Sequence, residues 1–262
     1  MSMSGSGLKL SFVRVFLVLS ALLLWEVAVR AAWIDSFYFS SPTRIAVAVA
    51  RWWQQGLLLK HLLLTIAEAG AGFFAGLLLG LGSGFFLAAN PRVDAVFQPF
   101  VVIANALPRI SFAPLIVLWF GLGFASKVVI VVSVVFFLVF FNTYRGFKEV
   151  SPVLLKNARV VGATPLQMFF HIYLPASLAW TFASLRVSVG FSITAAILGE
   201  YIGSGGGIGF LIDTAQSNFD ATGVMAGLAI LTVMVIILDN LVKHIERRVC
   251  RWHPKSVART SL

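Results

Sequence analysis

The residues that could do chemistry in this sequence are a few charges inside long apolar segments. The candidates among them are Glu68, Arg109, Arg186 and Glu200. A charge inside an apolar segment costs free energy, so it typically marks a pathway, a relay or an ion pair. No catalytic cluster accompanies them, because the four histidines are scattered and no H-E-x-x-H metal motif occurs. The phosphate-binding pattern G-x-x-x-x-G-K-[ST] is also absent, since the nearest stretch, 121–127, lacks the second glycine. The sequence therefore predicts no catalytic and no metal site.

The composition is that of a membrane protein. Of the 262 residues, 59% are hydrophobic and only 11% are charged, and the mean hydropathy is +0.94. A soluble fold must cover itself with polar side chains, so a soluble enzyme, a disordered chain and a disulfide-rich secreted domain are excluded. The net charge of +10 would suggest nucleic acid in a soluble domain, but in a membrane protein it indicates basic cytoplasmic loops. The only cysteine, Cys250, cannot form an intrachain disulfide.

Six segments are long and apolar enough to cross a bilayer as helices. They show no polar and apolar alternation, so we expect an all-α, polytopic helical membrane protein rather than a barrel. The first could mimic a signal peptide, but no small-x-small cleavage site follows it. The segments are 12–32, 62–89, 96–121, 127–141, 178–201 and 224–242.

The basic residues predict the orientation. With the N-terminus inside, thirteen Lys and Arg residues are cytoplasmic, five, including Lys127, are external, and Arg109 and Arg186 lie within spans. This bias places both termini in the cytoplasm. We therefore divide the chain into an N-terminal helix with an external interfacial helix (1–61), a transmembrane core (62–245) that includes the cytoplasmic loop 142–175, and a basic tail (246–262). The interfacial helix is expected to begin at Ser41-Pro42, with two tryptophans at the headgroup level.

The third span is interrupted by prolines. Pro108 and Pro114 each remove a backbone donor, and broken backbone at membrane depth is tolerated only inside protein or beside water. Asn105, Pro108 and Arg109 are therefore candidates for lining a pathway or gate. The alternative is a structural kink in which Arg109 pairs with a carbonyl.

The fifth span carries a polar stripe around Arg186. Ser184, Ser188 and Ser192 are four residues apart and share one helical face, and Glu200 closes the span. Such a stripe suits either a helix that lines a cavity or one that makes interhelical hydrogen bonds. Arg186, Ser188 and Glu200 complete the set of pathway candidates.

Four glycines of the second span form a smooth stripe. They recur at every fourth residue, which lets a neighbouring helix approach closely: Gly72, Gly76, Gly80 and Gly84. The partner is either a packing helix of the same subunit or a moving pathway helix. Glu68, near the outer end of the same span, is a weaker functional candidate.

The cytoplasmic loop 142–175 is predicted to form a compact knob. Ser151-Pro152 begins one helix, Gly162 interrupts it, and Thr164-Pro165 begins a second that runs through Ile172. Two short helices joined at Gly162 suit docking into a groove on a soluble partner.

This loop resembles that of the inner-membrane permeases of ATP-binding-cassette (ABC) importers, which have E-A-A, three residues, G, nine residues and I-x-L-P. Here the sequence reads Lys156-Asn157-Ala158, then Gly162, then Ile172-Tyr173-Leu174-Pro175, with the spacing intact. Lys156 and Asn157 replace the family's Glu and first Ala. The proline-rich third span and the turn 203–209 resemble the nitrate, sulfonate, taurine and bicarbonate subfamily.

The resemblance implies a type I importer (MetI-like) fold in a bacterial inner membrane. Two permease copies would sit over a cytosolic ATPase dimer that holds ATP and magnesium, so this chain needs no cofactor of its own. A periplasmic or lipid-anchored binding protein would deliver a small, anionic solute such as a sulfonate. The coupling residues carried over are Asn157, Ala158, Gly162, Ala163, Thr164 and Pro165.

Two other functions compete with this interpretation. An ion-coupled secondary transporter could use the intramembrane charges as a relay, but the sequence shows no obvious inverted repeat and the cytoplasmic knob would be unexplained. An intramembrane enzyme would need a paired nucleophile and base, which the sequence lacks.

Overall fold

The computed structural model describes residues 4–203 and 205–249, and within these ranges the regular structure is entirely helical. Most of the predicted basic tail, with Cys250 and His253, lies outside the described residues. The α-helices, in chain order, are α1 (Ser4–Arg30), α2 (Ser36–Phe39), α3 (Pro42–Gln54), α4 (Leu57–Ala89), α5 (Pro91–Ala106), α6 (Ala113–Phe120), α7 (Phe124–Lys148), α8 (Pro152–Val160), α9 (Pro165–Met168), α10 (Leu174–Ile202), α11 (Ile208–Ser217) and α12 (Ala221–Val249).

The predicted all-α membrane architecture is confirmed. Five helices are long and apolar enough to span a bilayer, and a sixth span is a pair of helical segments, Pro91–Ala106 and Arg109–Phe120, bent by 84°. The bend falls at Leu107-Pro108, where the chain becomes extended because the residue before a proline avoids helical backbone. Pro99, by contrast, lies within α5, so only one of the prolines of this region accompanies a break.

The external connection differs in detail from the prediction. Ser41 caps α3 with its hydroxyl and Pro42 occupies the first turn, as expected. However, α3 ends at Gln54, and α4 begins at Leu57 after a turn at Gly56 with φ of +69°, five residues before the predicted start of the second span at 62. Asp35 caps an additional short helix, α2, by accepting a hydrogen bond from the Phe37 amide.

The turn at 203–209 leads into a helix that the sequence did not reveal. Helix α11 begins at Ile208, directly after Gly207 with φ of +99°. It is only ten residues long, and the adjacent glycines hid its start.

The chain divides into two compact units, 1–63 with 206–232 and 64–205 with 233–262. In the second unit, α7 is the central helix and packs along α10. Val131, Val135 and Val139 of α7 are fully buried. The glycine stripe of α4 lies against the same helix, so it lets α4 and α7 pack closely within one chain.

In the first unit, hydrogen bonds join segments distant in sequence. Ser40 and Thr222 are linked through their hydroxyls at 2.8 Å, and the Gly207 amide donates to Nδ1 of His61 at 3.0 Å. The ring of His61 also stacks on Phe210. His61 therefore packs inside the protein, with Nδ1 engaged as a hydrogen-bond acceptor.

Candidate coupling loop and translocation pathway

The knob predicted in the loop 142–175 is built around Gly162. Helix α8 ends at Val160, and Gly162 adopts φ of +84°, a conformation that a residue with a Cβ rarely adopts. Thr164 then caps the following helix. Its hydroxyl accepts from the Gln167 amide, and the Gln167 side chain accepts from the Thr164 amide, which completes a capping box. The turn 161–164 therefore has a defined shape set by local residues.

The sequence predicted that the second helix of the knob would be separate and short, and this prediction was wrong. Helix α9 continues through a wide helical turn, Phe169–Tyr173, directly into the long α10. The widened turn pairs the Leu174 amide with the Phe169 carbonyl, five residues back. This register accommodates Pro175, which has no amide hydrogen and would otherwise clash with the preceding turn. The knob is consequently continuous with a membrane span.

Exposed apolar side chains form the tip of the knob. Val160 and Val161 are each 87% exposed, and Leu166 is 68% exposed. Asn157 and Gly162 are also exposed, while Ala158 and Ala163 are half-buried. The two valines were missed at the sequence level, although two adjacent apolar residues before a loop glycine could have indicated them. An apolar tip on the water-facing side of a membrane protein favours contact with another protein.

Tight contacts at the base of the knob join it to α7. The rings of Tyr173 and Phe147 stack with centroids 4.0 Å apart and planes 3° from parallel. Next to them, Gly146 packs so closely on α10 that an added Cβ would lie 2.9 Å from the Cα of Ser177. A displacement of the knob would therefore move the inner end of α7 as well.

The inner end of α7 is in turn bound to α5. Asp94 accepts a hydrogen bond from the Tyr144 hydroxyl at 2.6 Å and forms an ion pair with Lys148 at 2.5 Å. The Lys148 ammonium also lies over the Tyr144 ring. This cluster connects the end of α7 that contacts the knob to the helix that leads into the break at Pro108.

At the break, Arg109 has partners within the chain. Its guanidinium donates to the carbonyls of Ala104 and Asn105 at 3.2 and 3.4 Å, and it lies 4.7 Å from the centre of the Phe137 ring. Such carbonyl contacts are those expected if Arg109 stabilises a structural kink. They hold the segment after the break against the end of α5 and against α7. Asn105 and Pro108 are exposed beside it.

The polar stripe of α10 is largely satisfied within its own helix. The hydroxyls of Ser184 and Ser192 donate to the carbonyls of Thr181 and Val189. Ser188 is fully buried, and its hydroxyl has no hydrogen-bond partner. Arg186 is exposed and pairs with Asp239 of α12 at 3.3 Å. Of the polar groups in this stripe, the Ser188 hydroxyl lacks a hydrogen-bond partner and Arg186 forms an ion pair with another helix.

A buried charged cluster lies at the ends of α4, α7 and α10. Lys127 was expected in an external loop, but it is fully buried in the first turn of α7. Its ammonium donates to the carbonyls of Leu122 and Gly203 at 2.5 and 2.7 Å. Glu68 and Glu200, both 1% exposed, lie close together in this cluster, so a hydrogen bond between them requires that one carboxyl group is protonated. Thr65 also donates to Glu200 at 2.6 Å.

The cluster can hold ionisable groups away from water, because both carboxyl groups lie near the lysine and the lysine donates to two carbonyls. One oxygen of Glu68, Oε2, is buried without a hydrogen-bond partner. Glu68 and Lys127 therefore belong with Glu200 in one site. The sequence analysis did not single out Lys127, because a lysine that follows the glycines at 121 and 123 resembles an ordinary loop residue.

Comparisons with known proteins agree with this architecture. The chain is 31% identical over 232 residues to a probable ABC transporter permease protein of Haemophilus influenzae, covering 88% of this chain and 94% of the relative. It is 29% identical to the formylaminopyrimidine transport permease protein ThiX of Halalkalibacterium halodurans, covering 90% and 94%. It is 28% identical to the putative aliphatic sulfonates transport permease protein SsuC of Bacillus subtilis, covering 87% and 83%.

A solved structure has the same fold. The inward-facing MetNI methionine ABC transporter matches 74% of this chain and 97% of its own, with a TM-score of 0.63 and 20% identity. A family model described as the binding-protein-dependent transport system inner membrane component matches residues 72–251, which include the knob, α7 and α10. The chain therefore belongs to this family of ABC transport permeases.

Proposed function

We propose that this permease forms the pathway of an importer that a separate cytosolic ATPase dimer drives through the knob. The observation that carries the proposal is the exposed apolar tip at Val160 and Val161 beside the ordered turn at Gly162. Full burial of a valine side chain contributes roughly 1.5–3 kcal/mol, so docking of this tip would be favourable. The contact set comprises those valines with Asn157, Ala158, Gly162, Ala163, Thr164 and Pro165.

The free energy for transport would come from ATP binding and hydrolysis on the partner ATPase. In this proposal ATP and magnesium are bound by the ATPase, and the permease holds no cofactor. ATP can shift the permease only by binding one conformation of the assembly better than the other. The stack of Tyr173 on Phe147 and the ion pair of Asp94 with Lys148 supply rigid contacts between the knob and the proline break.

The proposed pathway follows the break and α10. Asn105, Pro108 and Arg109 would line it at the break, and Arg186, Ser188 and Glu200 along α10. Arg186 is paired with a carboxylate, whereas the carbonyls that Arg109 contacts leave its positive charge in place, so a passing anion would be attracted most strongly at the break. The unpartnered hydroxyl of Ser188 is the polar group most ready for a new hydrogen bond.

The remaining assembly follows from the family. Two permease copies in the bacterial inner membrane, with both termini cytoplasmic, would receive solute from a periplasmic or lipid-anchored binding protein. A small organic anion of the sulfonate type is our proposed solute, supported by the sulfonate relative. Because another relative is a formylaminopyrimidine transport permease, an uptake assay should compare a sulfonate with a formylaminopyrimidine.

Co-purification with the ATPase tests the docking. Val161→Asp places a charge at the apolar tip and should abolish ATPase binding and ATP-driven uptake in proteoliposomes. The matched control is Val153→Asp on the same helix, which is also exposed but lies eight residues from the tip. Both variants should insert and elute like the unmodified permease.

Retention of the ATPase and of uptake by Val161→Asp would contradict the docking site. A second experiment substitutes the catalytic base of the ATPase, which should stop uptake without dissociating the complex. Uptake that survives ATP depletion and instead follows an ion gradient would favour a secondary transporter.

A further inference from the structure

The buried cluster of Glu68, Lys127 and Glu200 contains more carboxyl groups than cations. Its three side chains are at most 1% exposed and come from α4, α7 and α10, all within the second compact unit. Among the described residues, Glu200 and Lys127 are the titratable groups that act on Glu68. Full ionisation would place two negative charges and one positive charge away from water, which is costly because a buried charge needs a partner. One bound proton makes the cluster neutral.

Lys127 cannot neutralise both carboxylates by itself. An ammonium group has three N–H donors, and the carbonyls of Leu122 and Gly203 each accept a hydrogen bond from Lys127. One donor therefore remains for a carboxylate. Two carboxylates that share a buried site repel each other, so one of them retains a proton. The hydrogen bond between Glu68 and Glu200 has the same requirement, since a hydrogen atom must lie between their oxygens.

The hydrogen bonds indicate which carboxyl group carries the proton. Glu200 accepts from the Thr65 hydroxyl at 2.6 Å, whereas Oε2 of Glu68 is buried without a hydrogen-bond partner. An unpartnered oxygen costs more on a carboxylate, which carries a full charge, than on a neutral carboxylic acid. The arrangement of lowest cost has a protonated Glu68 that donates through Oε1 to an ionised Glu200, and Lys127 balances the charge of Glu200.

The same cluster joins the two turns that flank α7 and α10. Leu122 lies in the turn before α7, Gly203 follows α10, and the Lys127 ammonium binds the carbonyls of both. Loss of the proton would leave a second carboxylate beside Glu200 without a cation. An arrangement that admits water to this carboxylate would then be favoured. The ends of α7 and α10 are the segments that would separate.

We propose that Glu68 binds a single proton and that this proton keeps the ends of α7 and α10 together around Lys127. At neutral pH the cluster is neutral and closed. At alkaline pH it loses the proton and opens to water. The site is independent of the proposed ATPase docking, because the knob contributes no residue to it.

Infrared spectroscopy of the full-length permease, in a detergent without ester groups, detects the proton directly. A protonated carboxylic acid has a C=O stretching band separate from those of carboxylates and amides. The unmodified permease should show one such band at neutral pH and lose it at alkaline pH. Glu68→Gln should lack the band at neutral pH. Glu149→Gln, which removes an exposed carboxylate beyond the other end of α7, should keep it.

Thermal unfolding tests which carboxyl group holds the proton. A glutamine at position 68 still offers an N–H donor to Glu200 and leaves Lys127 balanced, so Glu68→Gln should not lower the Tm at neutral pH. Glu200→Gln removes the carboxylate that accepts from Thr65, and it should lower the Tm. The opposite order of the two Tm values would place the proton on Glu200 and overturn the assignment.

Hydrogen exchange tests whether the proton keeps the cluster closed. At neutral pH, the amides of residues 122–127 and 199–203 should exchange at the same rate in the unmodified permease and in Glu68→Gln. At alkaline pH they should exchange several-fold faster in the unmodified permease, because Glu68→Gln has no proton to lose there. Both proteins are compared at the same pH, so the intrinsic exchange rates are equal.

Three further results would overturn the proposal. Absence of the band from the unmodified permease at neutral pH would show that both carboxyl groups are ionised. A band that survives both Glu68→Gln and Glu200→Gln would belong to a different carboxyl group. Equal exchange of the unmodified permease and Glu68→Gln at alkaline pH would show that the proton does not hold the helix ends together. The first measurement needs no variant, and a failure of ATPase docking would change none of these readouts.

Discussion

Replacement of Gly80 by alanine should loosen the packing of α4 on α7. A Cβ at Gly80 would lie 2.7 Å from the Phe136 carbonyl oxygen and 2.9 Å from the Cβ of Val139. Carbon atoms in good contact are about 3.5–4.0 Å apart, so the helices would have to separate by roughly 0.6 Å or more. The obstacles include backbone of a central helix, which cannot rotate away like the end of a long side chain.

Gly82→Ala is the matched control, because nothing lies within 4 Å of the position that its Cβ would occupy. Both changes add the same methyl group to α4 and gain the same helix propensity, at most about 1 kcal/mol. Overpacking costs typically about 1–3 kcal/mol. The free energy of unfolding of Gly80→Ala should therefore fall below that of Gly82→Ala by about 1–3 kcal/mol, since the propensity gain cancels.

Thermal unfolding of the detergent-solubilised permease measures this difference. A loss of this size corresponds to a Tm lower by roughly 2–10 °C than that of the control, by analogy with water-soluble domains. Equal Tm values for the two variants would refute the close contact of the stripe with α7. A lower Tm for Gly82→Ala than for the unmodified protein would refute the assignment of that position to an open face.

Three further changes test other parts of the structure. Lys127→Met leaves Glu68 and Glu200 without their buried cation and should destabilise the protein by about 3–5 kcal/mol; adding Glu200→Gln to it should recover part of the Tm. Asp94→Asn removes the charge that joins α5 to Lys148 and should lower the free energy of unfolding by about 1 kcal/mol, with fewer solute molecules imported per ATP hydrolysed if the contact transmits motion. Thr164→Ala removes a helix cap worth about 1 kcal/mol, and hydrogen exchange of the amides of α9 should become faster while α7 stays protected.

The sequence by itself determined the class of the protein and the course of its chain. The sequence alone could predict the lengths of the apolar segments, the positions of the prolines and the motif spacing around Gly162, because each of these depends only on residues close together in the chain. The six spans, the cap at Ser41 and the break at Pro108 are local features of this kind. The family resemblance rested on the same short-range pattern.

Only the tertiary structure decided which side chains meet. It brought Lys127, which counted as a loop residue in the sequence, to Glu68 and Glu200 from two other helices. It also assigned the glycine stripe to α7 and merged the second helix of the knob with α10. Residues that meet across fifty or more positions leave no periodic pattern in either segment. A charged side chain can be buried only where another helix places a hydrogen-bond or ion-pair partner beside it, and the packing of the helices decides where that occurs.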